Sequence, residues 1–238
     1  MLLDSEKLTG QINDLMSQDI LYLISVTAAI ICGVIFYFWY KHEVLGLQKA
    51  TPSVLLKPKT LLPFLLLGVC CQLFFSGIMN LLQPLLPDLF ESYGETMEGL
   101  LGSNLLLVLA YTIVIAPVTE ELIFRGVILH RAGKVLPFLG ANLLQALFFG
   151  VYHQNIIQGI YAAAMGFLLG LIYRRYNTII SSIFLHAIIN SSIFVVILFP
   201  LKTISYLIMF ALGAIGSAIA LMLLKLWEPK RKRELESK

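Results

Sequence analysis

The stretch LLLVLAYTIVIAPVTEELIFRG, residues 105–126, runs an apolar segment straight into two acids and an arginine. Whether those charges sit in lipid or in water depends on the rest of the chain. Of 238 residues, 58% are hydrophobic and 13% charged, the latter about half the ~25% usual in soluble domains. Several apolar runs reach the ~20 residues that carry a helix across a hydrocarbon core of about 30 Å. A membrane barrel would instead show ~10-residue segments of alternating polarity, and none is present. The chain reads as all-α, a polytopic transmembrane helical bundle, with residues 120–125 at membrane depth.

Seven spans are expected, at about 20–40, 61–83, 101–131, 136–153, 156–173, 178–199 and 203–227. Residues 1–19 form an extramembrane segment, at most a short amphipathic surface helix, without the cationic start of a secretory signal. Residues 20–100 then hold two accessory spans and loops, 101–199 the spans that carry polar residues, and 200–238 the last span and a basic tail. The loop cations Lys41, Lys49, Lys57, Lys59, Arg131, Lys134, Arg174 and Arg175, with Lys225, Lys230, Arg231, Lys232, Arg233 and Lys238 at the end, fall on one side of this arrangement. Only Lys7 and Lys202 fall on the other. Basic loops stay cytoplasmic, so a multi-pass protein of the cell membrane is expected, N-terminus outside and C-terminus inside. The net charge of +3 follows from that bias. No basic surface interleaved with aromatics argues for a nucleic-acid partner.

Cys32, Cys70 and Cys71 lie in apolar runs and read as small buried hydrophobes, with neither zinc spacing nor a disulfide framework. Phosphate-binding glycine loops and HExxH are absent. Gly166 and Gly170 make a GxxxG pair, and ALGAIGSAIA in the last span is similarly small, both signs of close helix packing. Asn80, Gln72, Asn104, Asn142 and Gln145 read as polar contacts between helices. His130 and His42 read as interfacial.

Ionisable groups at membrane depth cost about 2.5–3.5 kcal/mol each on insertion scales and mark functional sites by default. The candidates are Glu120, Glu121, Arg125, His153 and His186, with Asn190 as a polar companion. Glu121 and Arg125 are four residues apart and share a helix face, where each neutralises the other. Glu120 is turned about 100° from Glu121 and faces a different neighbour. Phe149 and His153 repeat the spacing, as do His186 and Asn190. With a rise of about 1.5 Å per residue, Glu120 and His186 lie at similar depth, whereas His153 lies higher on an upright helix and needs tilt or a sunken loop to join them.

The ordered set Glu120-Glu121-xxx-Arg125, Phe149-xxx-His153 and His186-xxx-Asn190 resembles the CPBP family of intramembrane proteases, also called Abi, which includes CAAX prenyl endopeptidases and bacteriocin-processing or immunity proteins. The likeness spans about 104–195. It implies that Glu120 and His153 activate water, that His186 and Asn190 stabilise the oxyanion, and that Glu121, Arg125 and Phe149 support the site. A base and aimed donors are what peptide hydrolysis needs. Glu120, His153 and His186 could also form a His₂Glu zinc site, although Asn190 beside His186 suits an oxyanion hole better, so no cofactor is required by this reading. The expected partners are the bilayer and a membrane-associated peptide or protein substrate, in a protein of bacterial type. The alternatives are a non-proteolytic immunity or regulatory protein that keeps the fold and contacts another membrane protein, and a small transporter using the same groups as a proton relay.

Overall fold

A computed structural model of the chain describes residues 2–44, 52–102, 104–198 and 205–226. Lys49, Lys202, Lys230, Arg231, Lys232, Arg233 and Lys238, on which the expected orientation partly rests, lie outside them. Among the described residues there are helices and turns and no strand. We number the main helices α1 (Leu2–Glu43), α2 (Pro58–Leu82), α3 (Pro87–Gly102), α4 (Leu105–Ala132), α5 (Phe138–Tyr152), α6 (Ile156–Tyr176), α7 (Ile179–Leu198) and α8 (Tyr206–Leu226). The chain is a multi-pass helical membrane protein.

Five stretches are long and apolar enough to cross a bilayer, namely Tyr22–Glu43, Pro58–Leu85, Leu105–Ala132, Ile156–Tyr176 and Tyr206–Leu224. The other two of the seven expected spans are shorter apolar helices, Phe138–Tyr152 and Ile179–Phe194. The first of these has 15 residues, which at a rise of 1.5 Å reaches only about 22 Å. Two boundaries also differ from expectation. Residues 2–19 continue α1 as one 42-residue helix rather than forming a separate element, and α3 occupies what read as loop. The third span starts at Leu105 because Asn104 caps it, its Oδ1 accepting from the backbone N–H groups of Leu106 and Leu107 at 3.0 and 3.4 Å.

The chain divides into two compact units, Met1–Gln48 with Pro87–Leu171, and Lys49–Leu86 with Ile172–Lys238. In the first, α4 is not a uniform α-helix. The turn Ala116–Glu121 lies between two π-helical segments, Tyr111–Ile115 and Leu122–Ile128. Pro117 has no N–H to give, and the wider turn before it accommodates the ring, with the Ala116 N–H donating to the Tyr111 carbonyl five residues back. Against this segment lies α1, where Gly33 is required: a Cβ there would stand 2.7 Å from Thr119 Oγ1. That hydroxyl donates to the Ala29 carbonyl at 3.1 Å. At the end of α1, Glu43 pairs with Arg131 and, at 3.6 Å, with Lys134.

Helices α5 and α6 form a tight hairpin. Pro137 sets the entry to α5, and Gln154, in the left-handed region at φ 57°, ends it. Asn155 then caps α6 by accepting from the Gln158 N–H at 3.1 Å. A groove of about 400 Å³ opens beside this turn, between Leu147 and Val151 on α5 and Ile156 and Ile160 on α6, and none of the candidate residues lines it.

In the second unit, α8 packs on α2 and α2 on α7. Phe64 of α2 sets its ring edge-on to Tyr176 at 5.3 Å and packs at 6.0 Å against Phe184. Cys70 and Cys71 are buried, as expected, and Cys71 Sγ lies 3.7 Å from Ser217 Oγ. Cys32 departs from the expectation: it is exposed on α1, on a helix whose outer face also presents Ile31, Ile35 and Phe38. Gln72 and Asn80 bond within α2, to Ser76 Oγ and the Ser76 carbonyl, instead of between helices.

Candidate active site

Four of the seven candidate residues are joined by direct contacts in the first unit. Glu121 and Arg125 are both fully buried, and Arg125 Nη1 donates to Glu121 Oε1 at 2.8 Å. Arg125 reaches further than the sequence suggested. Its Nη2 donates to the Gly166 carbonyl of α6 at 2.9 Å, and its guanidinium carbon lies 4.6 Å from the centroid of the Phe149 ring on α5. One side chain thus ties α4 to both neighbours. An arginine suits this because its planar head combines several donors with a face that stacks on aromatics.

Phe149 in turn sets His153. The imidazole Nδ1 stands 2.8 Å from the Phe149 carbonyl, and the two rings meet edge to face at 4.9 Å. This carbonyl is available because the helix is ending. The His153 backbone N–H turns to the Gly150 carbonyl, leaving the carbonyl four residues back for the side chain. A carbonyl oxygen only accepts, so Nδ1 carries the proton and Nε2 is the basic nitrogen of the neutral ring. A base needs that orientation at its reactive nitrogen.

Glu120 is buried on the same turn as Glu121, at 6% exposure. Tyr152, beside His153, sets its ring edge-on to the imidazole at 5.7 Å. Tyr152 packs edge-on against Phe124 at 5.6 Å, and Phe124 against Phe149 at 5.0 Å. Phe124, Phe149 and Tyr152 thus form an aromatic layer that also carries His153.

His186 and Asn190 are on α7, in the second unit. His186 is buried and Asn190 half-buried, and their four-residue spacing puts both on one face of that helix. Among the described residues no group of three His, Cys, Asp or Glu side chains is gathered closely enough to hold a metal ion.

Two features of the site escaped the sequence. The Gly166 carbonyl as a partner for Arg125 has no side-chain signal, although the GxxxG pair marked the place. The π-helical segments on either side of Ala116–Glu121 were signalled only by Pro117. Asn142 and Gln145, read as contacts between helices, are that: Asn142 Nδ2 donates to the Phe167 carbonyl at 3.0 Å, and Gln145 Nε2 to the Gly166 carbonyl at 2.9 Å.

Residues 102–192 match the family model of type II CAAX prenyl endopeptidases described as Rce1-like. A relative from Bacillus subtilis (strain 168), described as "Putative membrane peptidase YdiL", is 29% identical over 89 residues, which are 37% of this chain. The match spans about a third, 36%, of that relative's length. No solved structure matches the chain. The matched segment contains all seven candidate residues. Over residues 102–192 the chain is thus similar to the CPBP-type, Rce1-like membrane peptidases.

Proposed function

We propose that this protein is an intramembrane endopeptidase that hydrolyses a peptide bond in a hydrophobic or membrane-associated substrate. Glu120, assisted by His153 Nε2, takes a proton from water as the water oxygen attacks the scissile carbonyl. His186 and Asn190 donate to the oxyanion, and the proton passes to the leaving amine as the C–N bond breaks. Each donor of this kind is worth roughly 10²–10³ in rate. Glu121 and Arg125 neutralise each other and hold α4 against α5. The observation that carries this reading is the Phe149 carbonyl on His153 Nδ1, which leaves Nε2 as the basic nitrogen. In this reading the N-terminus lies outside the cell membrane and the C-terminus in the cytoplasm.

The test is cleavage of a library of hydrophobic and signal-like peptides in liposomes, comparing wild type with Glu120→Gln, His153→Ala and His186→Ala, each with and without chelator. Losses of roughly 10²–10⁴ in kcat for Glu120→Gln and His153→Ala are expected, with no chelator effect. Chelator sensitivity would move the mechanism to zinc. A wild type that cuts nothing, beside variants that remain folded and keep the cellular phenotype, would replace the peptidase by a non-proteolytic immunity or regulatory protein acting on a membrane partner.

A further inference from the structure

Two packed spans, Tyr22–Glu43 of α1 and Leu105–Ala132 of α4, end side by side, and a charged cluster outside the candidate active site joins their ends. Glu43 Oε1 accepts from the Trp39 indole N–H at 2.8 Å and from Arg131 Nη2, while Glu43 Oε2 lies 3.6 Å from Lys134 Nζ. The Arg131 guanidinium carbon stands 5.6 Å from the centroid of the Trp39 ring. One carboxylate thus orients an indole and two cations.

Two properties of this cluster exceed what fastening α1 to α4 requires. The first is its charge. Two cations face one anion, and the side chains of Arg131 and Lys134 are 50% and 52% exposed where that of Glu43 is 17% exposed. The carboxylate lies inside, and the excess positive charge is turned outward. Exposed ion pairs add little stability, so adhesion does not account for the second cation. The other property is depth. The ends of spans lie where hydrocarbon gives way to headgroups, the level at which tryptophan anchors meet lipid. Phe36 stacks on Trp39 at 5.7 Å, three residues and so about 4.5 Å nearer the middle of the span. The two cations therefore stand at the head of an aromatic wall that runs down into the bilayer. A free anion would use only the top of this surface. A phospholipid uses all of it, with its phosphate on Arg131 and Lys134 and an acyl chain along Trp39 and Phe36.

We propose that Trp39, Arg131 and Lys134 form a binding site for an anionic phospholipid, with Glu43 orienting the donors. Basic surfaces at the ends of membrane helices attract anionic headgroups in this way. The site is independent of the peptidase reading.

Trp39 itself reports occupancy once the other of the two tryptophans, Trp227, is replaced. Full-length Trp227→Phe protein is reconstituted in liposomes of dibrominated phosphatidylcholine, whose bromines quench an adjacent indole, and unbrominated phosphatidylglycerol or phosphatidylcholine is titrated in. Phosphatidylglycerol is expected to restore Trp39 fluorescence at a mole fraction about fivefold lower than phosphatidylcholine, the scale of one cation at a membrane surface. In this background Lys134→Gln, which leaves the Glu43–Arg131 pair in place, should lower the preference, and Arg131→Gln/Lys134→Gln should abolish it. Lys41→Gln should keep it, because Lys41 is turned about 200° from Trp39 around α1. Equal displacement by the two lipids in the Trp227→Phe protein would overturn the proposal, as would a preference untouched by Lys134→Gln. A loss in Lys41→Gln as large as in Lys134→Gln would overturn it in favour of diffuse surface charge. Loss of the preference in inorganic phosphate at matched ionic strength would overturn it in favour of a free-anion site.

Discussion

In the first unit Arg125, Asn142 and Gln145 reach across to carbonyls of α6, whereas in the second Gly77, Gly213 and Gly216 bring α2 and α8 together with almost nothing between them. A Cβ at Gly213 would lie 2.3 Å from the Phe74 nitrogen, at Gly77 2.5 Å from the Phe210 nitrogen, and at Gly216 2.2 Å from Cys70 Sγ. Lipid tails are as apolar as leucine, so helices in a bilayer gain little by hiding apolar faces from one another. They associate instead by hydrogen bonds or by close contact of small residues. The two devices differ in what they fix. Small residues set a distance, while a donor aimed at one carbonyl also sets rotation and register. Glu120 and His153 lie in the unit that is pinned in both respects.

Three substitutions sharpen this contrast. The largest effect is expected from Arg125→Met, which leaves Glu121 buried without its cation and should cost about 3–5 kcal/mol, measured by unfolding in detergent. The double variant Glu121→Met/Arg125→Met should recover most of that loss. If the single variant unfolds like wild type, the ion pair is not what holds α4. Next comes Gly213→Ala. Its added methyl meets backbone rather than a flexible side chain, so about 1–3 kcal/mol should be lost; an unchanged melting temperature would mean that α2 and α8 separate at little cost. The smallest is Thr119→Val, which removes one interhelical hydrogen bond to the Ala29 carbonyl and should cost about 0.6 kcal/mol. A loss as large as that of Arg125→Met would make α1 an equal partner in holding the turn that carries Glu120.

The membrane-spanning helices were legible because hydrocarbon permits few alternatives: a backbone in lipid must satisfy its own polar groups, and an apolar run of sufficient length does so as a helix. Glu121 with Arg125 was legible for a similar reason, since their spacing allows one neutralising contact inside a single helix. The span lengths were less so. The bounds of α5, Phe138–Tyr152, agree with the expected 136–153, but its 15 residues, closed by His153 and the left-handed Gln154, make it a short helix rather than a full crossing. Helix α1 misled in the other direction. Polar residues at 4–19 suggested a separate surface element, yet the backbone stays helical through them.

The sequence by itself determined that this is a helical membrane protein, that Glu120, Glu121, Arg125, Phe149 and His153 are its costly or unusual residues, and which family segment 102–192 resembles. Each of these depends on residue type and on spacing within one helix. The tertiary structure alone decided that Arg125 and Gln145 share the Gly166 carbonyl, that Gly33 admits α1 to the Glu120 turn, and that the Phe149 carbonyl is left for His153. The physical reason is common to all three. A backbone carbonyl is the same chemical group at every residue, and only the packing of helices selects which one a distant side chain will meet.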